Sequence, residues 1–161
     1  MKIAIIGSGG REHALCYFLN KSPQVKKIFC FPGNAGTNII GENIKIDIDN
    51  FIEIKNFIIN NNINYVIVGP EKPLVDGLVD YLESYQIKVF GPNKTSSQLE
   101  GSKIFTKKLC EKYKIPTAKF GTFNNENSAI NFVTNAKYPL VIKADGLASG
   151  KGVYIPNDLE T

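Results

Sequence analysis

The sole arginine and the sole histidine of this chain sit two residues apart in one loop, Gly7-Ser8-Gly9-Gly10-Arg11-Glu12-His13. Every other basic residue is lysine, so any planar, two-pronged grip on an anion falls to Arg11. An apolar run, Ile3-Ala4-Ile5-Ile6, precedes the loop, and a helix-like stretch from Glu12 to Leu19 follows it. A glycine turn between a buried strand and a helix start suits a phosphate. Small residues let the backbone approach, and N–H groups of the first helical turn point at the anion. The helix end adds the equivalent of roughly half a positive charge. A tight turn with no ligand is the competing reading. A dinucleotide fingerprint is disfavoured: Glu12 stands where G-x-G-x-x-G needs its third glycine. The second strand, Lys27-Ile28-Phe29-Cys30-Phe31, also runs into Pro32-Gly33-Asn34 without the acidic residue that would take a ribose hydroxyl.

Three further segments could do chemistry. Pro32-Gly33-Asn34-Ala35-Gly36-Thr37 is small, glycine-rich and hydroxyl-tipped. Beside the first loop it could add backbone N–H groups and the Thr37 hydroxyl to one phosphate, or it could be a plain loop. Gly69-Pro70-Glu71 brings the one carboxylate among the turns Gly7 to Gly10, Gly33 to Gly36, Gly69 to Glu71 and Gly91, which suits a hydroxyl- or amine-bearing ligand better than a phosphate. Lys143, inside the apolar run Pro139 to Ala144, either reaches solvent or meets an anion. It leads into Asp145-Gly146-Leu147-Ala148-Ser149-Gly150-Lys151-Gly152-Val153, a glycine hairpin suited to closing over nucleotide phosphates. This hairpin is not a Walker loop, because Gly152 and a strand follow the lysine where Ser or Thr and a helix are required.

The elements that position these loops alternate. Short apolar runs at Ile3–Ile6, Lys27–Phe31, Tyr65–Val68 and Ile87–Phe90 read as strands, and Ile44-Lys45-Ile46-Asp47-Ile48 as a half-exposed one. Helical spacing is expected from Phe51 to Asn60 and, in one helix, through Leu74, Val75, Leu78, Val79 and Leu82. That order predicts an α/β fold: an open parallel sheet with helices on both faces, the glycine turns at its carboxyl edge. From about residue 94 the character changes. Gly101-Ser102 is expected to open a helix stopped by Ile115-Pro116, and Asn125 to cap another. The chain has 161 residues, 43% of them hydrophobic, enough for one domain and part of a second. A net charge of +4 with dispersed lysines argues against nucleic acid as a partner. Cys16, Cys30 and Cys110 lack metal-binding spacing and read as reduced thiols of a cytoplasmic protein. No run is long enough to span a membrane, and no signal peptide is expected.

Seven segments in order carry a family resemblance: Gly7 to Leu15, Pro32 to Thr37, Val68 to Glu71, Phe90 to Pro92, Leu99 to Lys103, Lys114 to Ala118 and Val141 to Val153. Together they resemble the N-terminal part of the phosphoribosylamine–glycine ligases (glycinamide ribonucleotide synthetases) of the ATP-grasp superfamily. The resemblance implies a Rossmann-like pre-ATP-grasp domain over residues 1–100, and over 101–161 the incomplete first part of an ATP-grasp domain. It implies ATP-dependent joining of glycine to 5-phosphoribosylamine through glycyl phosphate, with Mg2+ as cofactor, in purine nucleotide synthesis. On this expectation Gly9, Gly10, Arg11, Asn34, Ala35, Gly36 and Thr37 hold the sugar phosphate, and Glu71 meets the ribose or amine. Lys103 and Lys143 hold ATP phosphates, under a loop that includes Gly146, Ser149, Gly150, Lys151 and Gly152. No residue need act as a general base, and His13 reads as structural or phosphate-facing. Magnesium ligands and a catalytic residue are not expected within 1–161. Asn157 to Thr161 reads as a helix start, and the chain alone is expected to be inactive. A non-catalytic sugar-phosphate-binding protein and another carboxylate-activating ATP-grasp enzyme are the alternatives.

Overall fold

The computed structural model describes residues 1–148 and 150–158. It divides into two compact units, Met1–Ser97 and Gln98–Thr161.

In the first unit, β1 (Lys2–Gly7), β2 (Lys27–Pro32), β3 (Glu42–Asn43), β4 (Tyr65–Val68) and β5 (Val89–Phe90) form one sheet in the order β3-β2-β1-β4-β5. All four pairings are parallel, with Ile5 opposite Cys30 on one side and Ile67 on the other. Period-two alternation splits β1 between two cores. Ala4 and Ile6 join Phe29, Phe31, Val66 and Val68 against α3 (Phe51–Asn60) and α5 (Leu78–Glu83). Ile3 and Ile5 join Ile28 and Cys30 against Cys16 of α1 (Gly10–Asn20) and Ile40 of α2 (Ala35–Ile40). Phe29 and Phe31 meet the Phe57 ring edge-on at 5.5 and 5.3 Å, fixing the end of β2 that launches the second glycine loop. The chain runs outward from β1 through β2 to β3, then crosses to β4 on the other side of β1. The carboxyl ends of β1 and β4 therefore flank the topological switch point, where open α/β sheets bind ligands.

Two elements differ from the sequence expectation. The third strand is Glu42–Asn43 rather than Ile44–Ile48. The ladder ends after the Ile44 N–H reaches the Cys30 carbonyl, because the Ile46 N–H turns back to the Ile44 carbonyl at 2.7 Å. Ile46 is still buried, so the alternation was real although the pairing was not. The expected single helix after Glu71 is two, α4 (Glu71–Asp76) and α5, broken at Gly77, whose φ of 98° is left-handed.

Non-glycine residues occupy left-handed positions after two of this unit's helices, Asn62 (φ 51°) and Gln86 (φ 60°). Both are helix-ending turns in which the next N–H bonds five residues back, Ile63 to Ile58 and Ile87 to Leu82. Asparagine tolerates this conformation better than glutamine does. Gln86→Gly is therefore expected to stabilise the unit by roughly 0.5–1 kcal/mol, read as a higher midpoint in denaturant. An unchanged or lower midpoint would contradict this account of the turn.

Cys16 and Cys30 are fully buried between α1 and β2, while Cys110 is partly exposed. Burial, reinforced by Cys16, pushes the Cys30 thiol up to about 12. Burial also raises Cys16. Of these three thiols, only Cys110 is expected to react with iodoacetamide in the native protein, as read by peptide mass spectrometry.

The second unit contains α7 (Lys103–Lys112), α8 (Glu126–Thr134) and an antiparallel hairpin of β6 (Ile142–Lys143) and β7 (Val153–Tyr154). The helix α6 (Lys94–Gly101) spans the division between units. Ser102 and Asn125 cap α7 and α8 by accepting from the Phe105 and Ser128 N–H groups at 3.0 and 2.9 Å. No helix among the described residues is long and apolar enough to cross a membrane.

Candidate functional site

The Gly7–Arg11, Gly33–Thr37 and Gly69–Glu71 turns all leave the carboxyl ends of parallel strands. One side chain ties the first two together. The Asn34 Oδ1 accepts the Gly36 and Thr37 N–H groups at 2.8 and 3.0 Å, capping α2. Its Nδ2 donates to the Ser8 and Gly9 carbonyls at 2.9 and 3.1 Å. Asn34 is thus both helix cap and bridge.

Behind it, Thr37 is fully buried. Its hydroxyl takes the Asn34 N–H at 2.7 Å and donates to the Asn43 Oδ1 at 2.7 Å, while the Asn43 amide donates to the Asn34 carbonyl. Here the geometry corrects the reading from residue types. The Gly36 and Thr37 N–H groups and the Thr37 hydroxyl do not face a shared phosphate; they are already bonded within the loop. Gly33 makes this packing possible. Its φ is 72°, and a Cβ there would lie 2.2 Å from the Asn43 Oδ1.

His13 lies against the second loop from the first. A Cβ on Gly36 would come within 2.6–2.8 Å of three atoms of the His13 ring. Ala35 opens α2 between the cap and this contact. Gly10, by contrast, faces open space: nothing lies within 4 Å of where its Cβ would be. Gly10 and Arg11 start α1, where backbone N–H groups lack intrahelical acceptors.

Arg11 and Glu71 meet at the switch point, Nη2 to Oε1 at 2.8 Å, with side chains 66% and 39% exposed. The backbone N–H of Glu71 itself, at the first position of α4, and then the Arg11 guanidinium hold its carboxyl below the usual carboxylate range, against partial burial. Glu71 stays ionised further into acid than a free glutamate, so the pair weakens only as pH falls through that lowered value. A pair this exposed is worth no more than about 1 kcal/mol, which leaves Arg11 able to turn toward a stronger anion.

In the second unit the hairpin is anchored at its start. Asp145 accepts from the Ser102 hydroxyl at 3.0 Å and from the Ile104 N–H at 3.2 Å, at the first turn of α7. Burial alone would raise Asp145, but these bonds and the Gly146 and Lys103 N–H groups outweigh it and lower the carboxyl. The Lys103 Nζ donates to the Gly146 carbonyl at 2.8 Å, so the structure brings these two expected residues together. Lys143 is exposed on β6, opposite Val153. The hairpin closes through the Ala144 N–H to the Gly152 carbonyl and the Lys151 N–H to the Ala148 carbonyl. Gly146 and Gly150 have left-handed φ values of 90° and 77°, with open space where a Cβ would be. Ser149 and, of the helix start expected from Asn157 to Thr161, residues 159–161 lie outside the described residues. The described residues hold no group of three His, Cys, Asp or Glu that could bind a metal ion.

The residue types did not announce Glu12, Asn43 and Asp145 as builders of these loops. The first fills the turn space left by glycines, and the other two act on loops distant in sequence.

Comparison with known proteins matches the chain in two parts. Residues 1–100 match the family described as phosphoribosylglycinamide synthetase, N domain, and residues 101–161 match its ATP-grasp (A) domain. A protein of Caldanaerobacter subterraneus subsp. tengcongensis named phosphoribosylamine–glycine ligase is 47% identical over 158 residues, covering 98% of this chain and 38% of that protein. The crystal structure of phosphoribosylamine–glycine ligase from Thermotoga maritima aligns with a TM-score of 0.77 at 32% identity, over 99% of this chain and 37% of that one. N5-carboxyaminoimidazole ribonucleotide synthetase from Thermotoga maritima aligns with a TM-score of 0.71 at 19% identity, over 99% of this chain and 41% of that one, which shows a shared fold alone. The chain spans about 38% of the length of curated relatives it matches. On the strength of matches that run its whole length, the chain belongs to the phosphoribosylglycinamide synthetase family.

Proposed function

We propose that this chain forms the N-terminal part of a ligase that joins glycine to 5-phosphoribosylamine with ATP, giving glycinamide ribonucleotide, ADP and phosphate. The observation that carries the reading is the Asn34 bridge, which locks two glycine loops beside the Arg11–Glu71 pair at the switch point. The sugar phosphate would rest on the Gly10 and Arg11 N–H groups and the Arg11 guanidinium, with Gly9 setting the turn through its N–H to Glu12. Asn34, Ala35 and Gly36 would form the facing wall, braced from behind by the buried Thr37, and Glu71 would take a ribose hydroxyl or the amine.

In the reaction, a glycine carboxylate oxygen takes the terminal phosphoryl group of ATP, and ADP leaves. The sugar amine nitrogen then attacks the acyl carbon of glycyl phosphate. The bond from that carbon to the phosphate oxygen breaks, inorganic phosphate departs, and the amine loses a proton to solvent. The chain's own contribution is alignment, charge neutralisation and exclusion of water. Lys103 and Lys143 would bind ATP phosphates, and the hairpin with Gly146, Ser149, Gly150, Lys151 and Gly152 would close over them. Mg2+ would shield the transferred charge. Three free thiols support a reducing compartment, and with it the cytoplasm.

The test is ADP release by the complete protein that carries this chain. Release that requires both glycine and phosphoribosylamine is expected. Release that needs bicarbonate in place of glycine would overturn the reading in favour of another carboxylate-activating enzyme. Residues 1–161 by themselves are expected to release no ADP.

A further inference from the structure

Among the described residues, one buried side-chain oxygen has no hydrogen-bond partner, the Glu12 Oε1. Glu12 is 3% exposed, and its other oxygen takes the Gly9 N–H at 2.5 Å. Three glycines leave room for this carboxyl. A Cβ on Gly7 would lie 2.7 Å from the Glu12 Cδ, one on Gly9 2.9 Å from Oε2, and one on Gly69 2.1 Å from Oε1. Glu12 therefore sits between the ends of β1 and β4, at the switch point itself. Burying an acceptor without a donor costs free energy, so its retention calls for a role.

The loop has two ends of opposite character. The outer end, Gly10 and Arg11, is open and positive. At the inner end the Gly9 N–H is already bonded, and an oxygen that no protein donor neutralises lies beside Gly69. In a dinucleotide site this position is a glycine that packs helix against strand, and it places no carboxylate behind the loop that holds the pyrophosphate. Here a second phosphate would meet like charge.

We propose that Glu12 sets the ligand class of this site: one terminal phosphate on Gly10 and Arg11, followed by a hydrogen-bond-donating group such as an amine or hydroxyl, and never a pyrophosphate. The discrimination comes from a built-in repulsive group rather than from added contacts to the preferred ligand. This inference rests on the sugar-phosphate reading above.

The test uses the complete protein and two probes, ribose 5-phosphate and inorganic pyrophosphate, each as an inhibitor competing with phosphoribosylamine. The wild type is expected to bind ribose 5-phosphate at least about tenfold more tightly than pyrophosphate, and Glu12→Gln to narrow that gap to about threefold or less. Glu12→Asp, which keeps the charge, is expected to keep the gap. A wild type without the gap, or a folded Glu12→Gln that retains it, overturns the proposal. If Glu12→Gln does not fold, the wild-type and Glu12→Asp ratios decide it. Failure of both probes to compete in the wild type would instead sink the sugar-phosphate reading itself.

Discussion

In the proposed ligase, Arg11→Ala is expected to raise KM for phosphoribosylamine about a hundredfold, through loss of the proposed bidentate, charge-assisted grip on a phosphate worth ~2–3 kcal/mol. The loss should fall on this substrate and leave KM for ATP nearly unchanged, because no ATP-binding role is assigned to Arg11. No second arginine exists in the chain to take over. Arg11→Lys keeps the charge but not the planar fork, so it should recover only part of the loss. Stability should barely move. The Arg11–Glu71 pair is exposed, and such pairs contribute roughly 0–1 kcal/mol. Steady-state kinetics with each substrate varied in turn, beside a thermal melt, separates these effects. A large fall in Tm with unchanged KM would mean that Arg11 is structural.

Asn34→Ala should show the opposite balance. It removes the α2 cap, typically worth ~1 kcal/mol, and two bonds from the same amide to the Ser8 and Gly9 carbonyls, each worth net ~0.5–1.5 kcal/mol. A total of about 2–3 kcal/mol would lower the midpoint of a domain of this size by roughly 10 °C or more. Because the same amide couples the two loops, KM for phosphoribosylamine should rise as well, by about tenfold. Asn34→Asp distinguishes the two jobs. The aspartate can still cap α2, but it turns an oxygen toward the Ser8 and Gly9 carbonyls in place of the donating amide. KM should therefore suffer more than Tm. Equal loss of both in the two variants would contradict the division into cap and bridge.

The parallel sheet was legible because its central strands are uninterrupted apolar runs, and α3 because apolar residues recur at helical spacing from Phe51 to Asn60. The edge of the sheet was less legible. The alternation of Ile44, Ile46 and Ile48 reports which side chains face the core, but not whether a partner strand still accepts bonds, and here the pairing stops at Asn43. The break at Gly77 was missed because apolar spacing continues across it from Leu74 to Leu82. In the site, glycines and Arg11 announce themselves by type. The parts that depend on contact between distant loops do not. Nothing local marks Asn43 as the acceptor for Thr37, Asp145 as the partner of a helix start 41 residues earlier, or Glu12 as the occupant of space left by Gly69. The second loop also looked like a phosphate donor until its N–H groups were seen bonded to Asn34. Capping and anion binding use the same residue types, and only the fold distinguishes them.

The most direct test of the account is the crystal structure of the complete protein with ribose 5-phosphate. The account predicts a phosphate oxygen within about 2.7–3.2 Å of the Arg11 guanidinium and of a backbone N–H at Gly10 or Arg11, with the sugar turned toward Glu71. A phosphate bound on the hairpin of residues 146–152 with the Arg11 loop empty, or a sugar held where neither Arg11 nor Glu71 touches it, would contradict it.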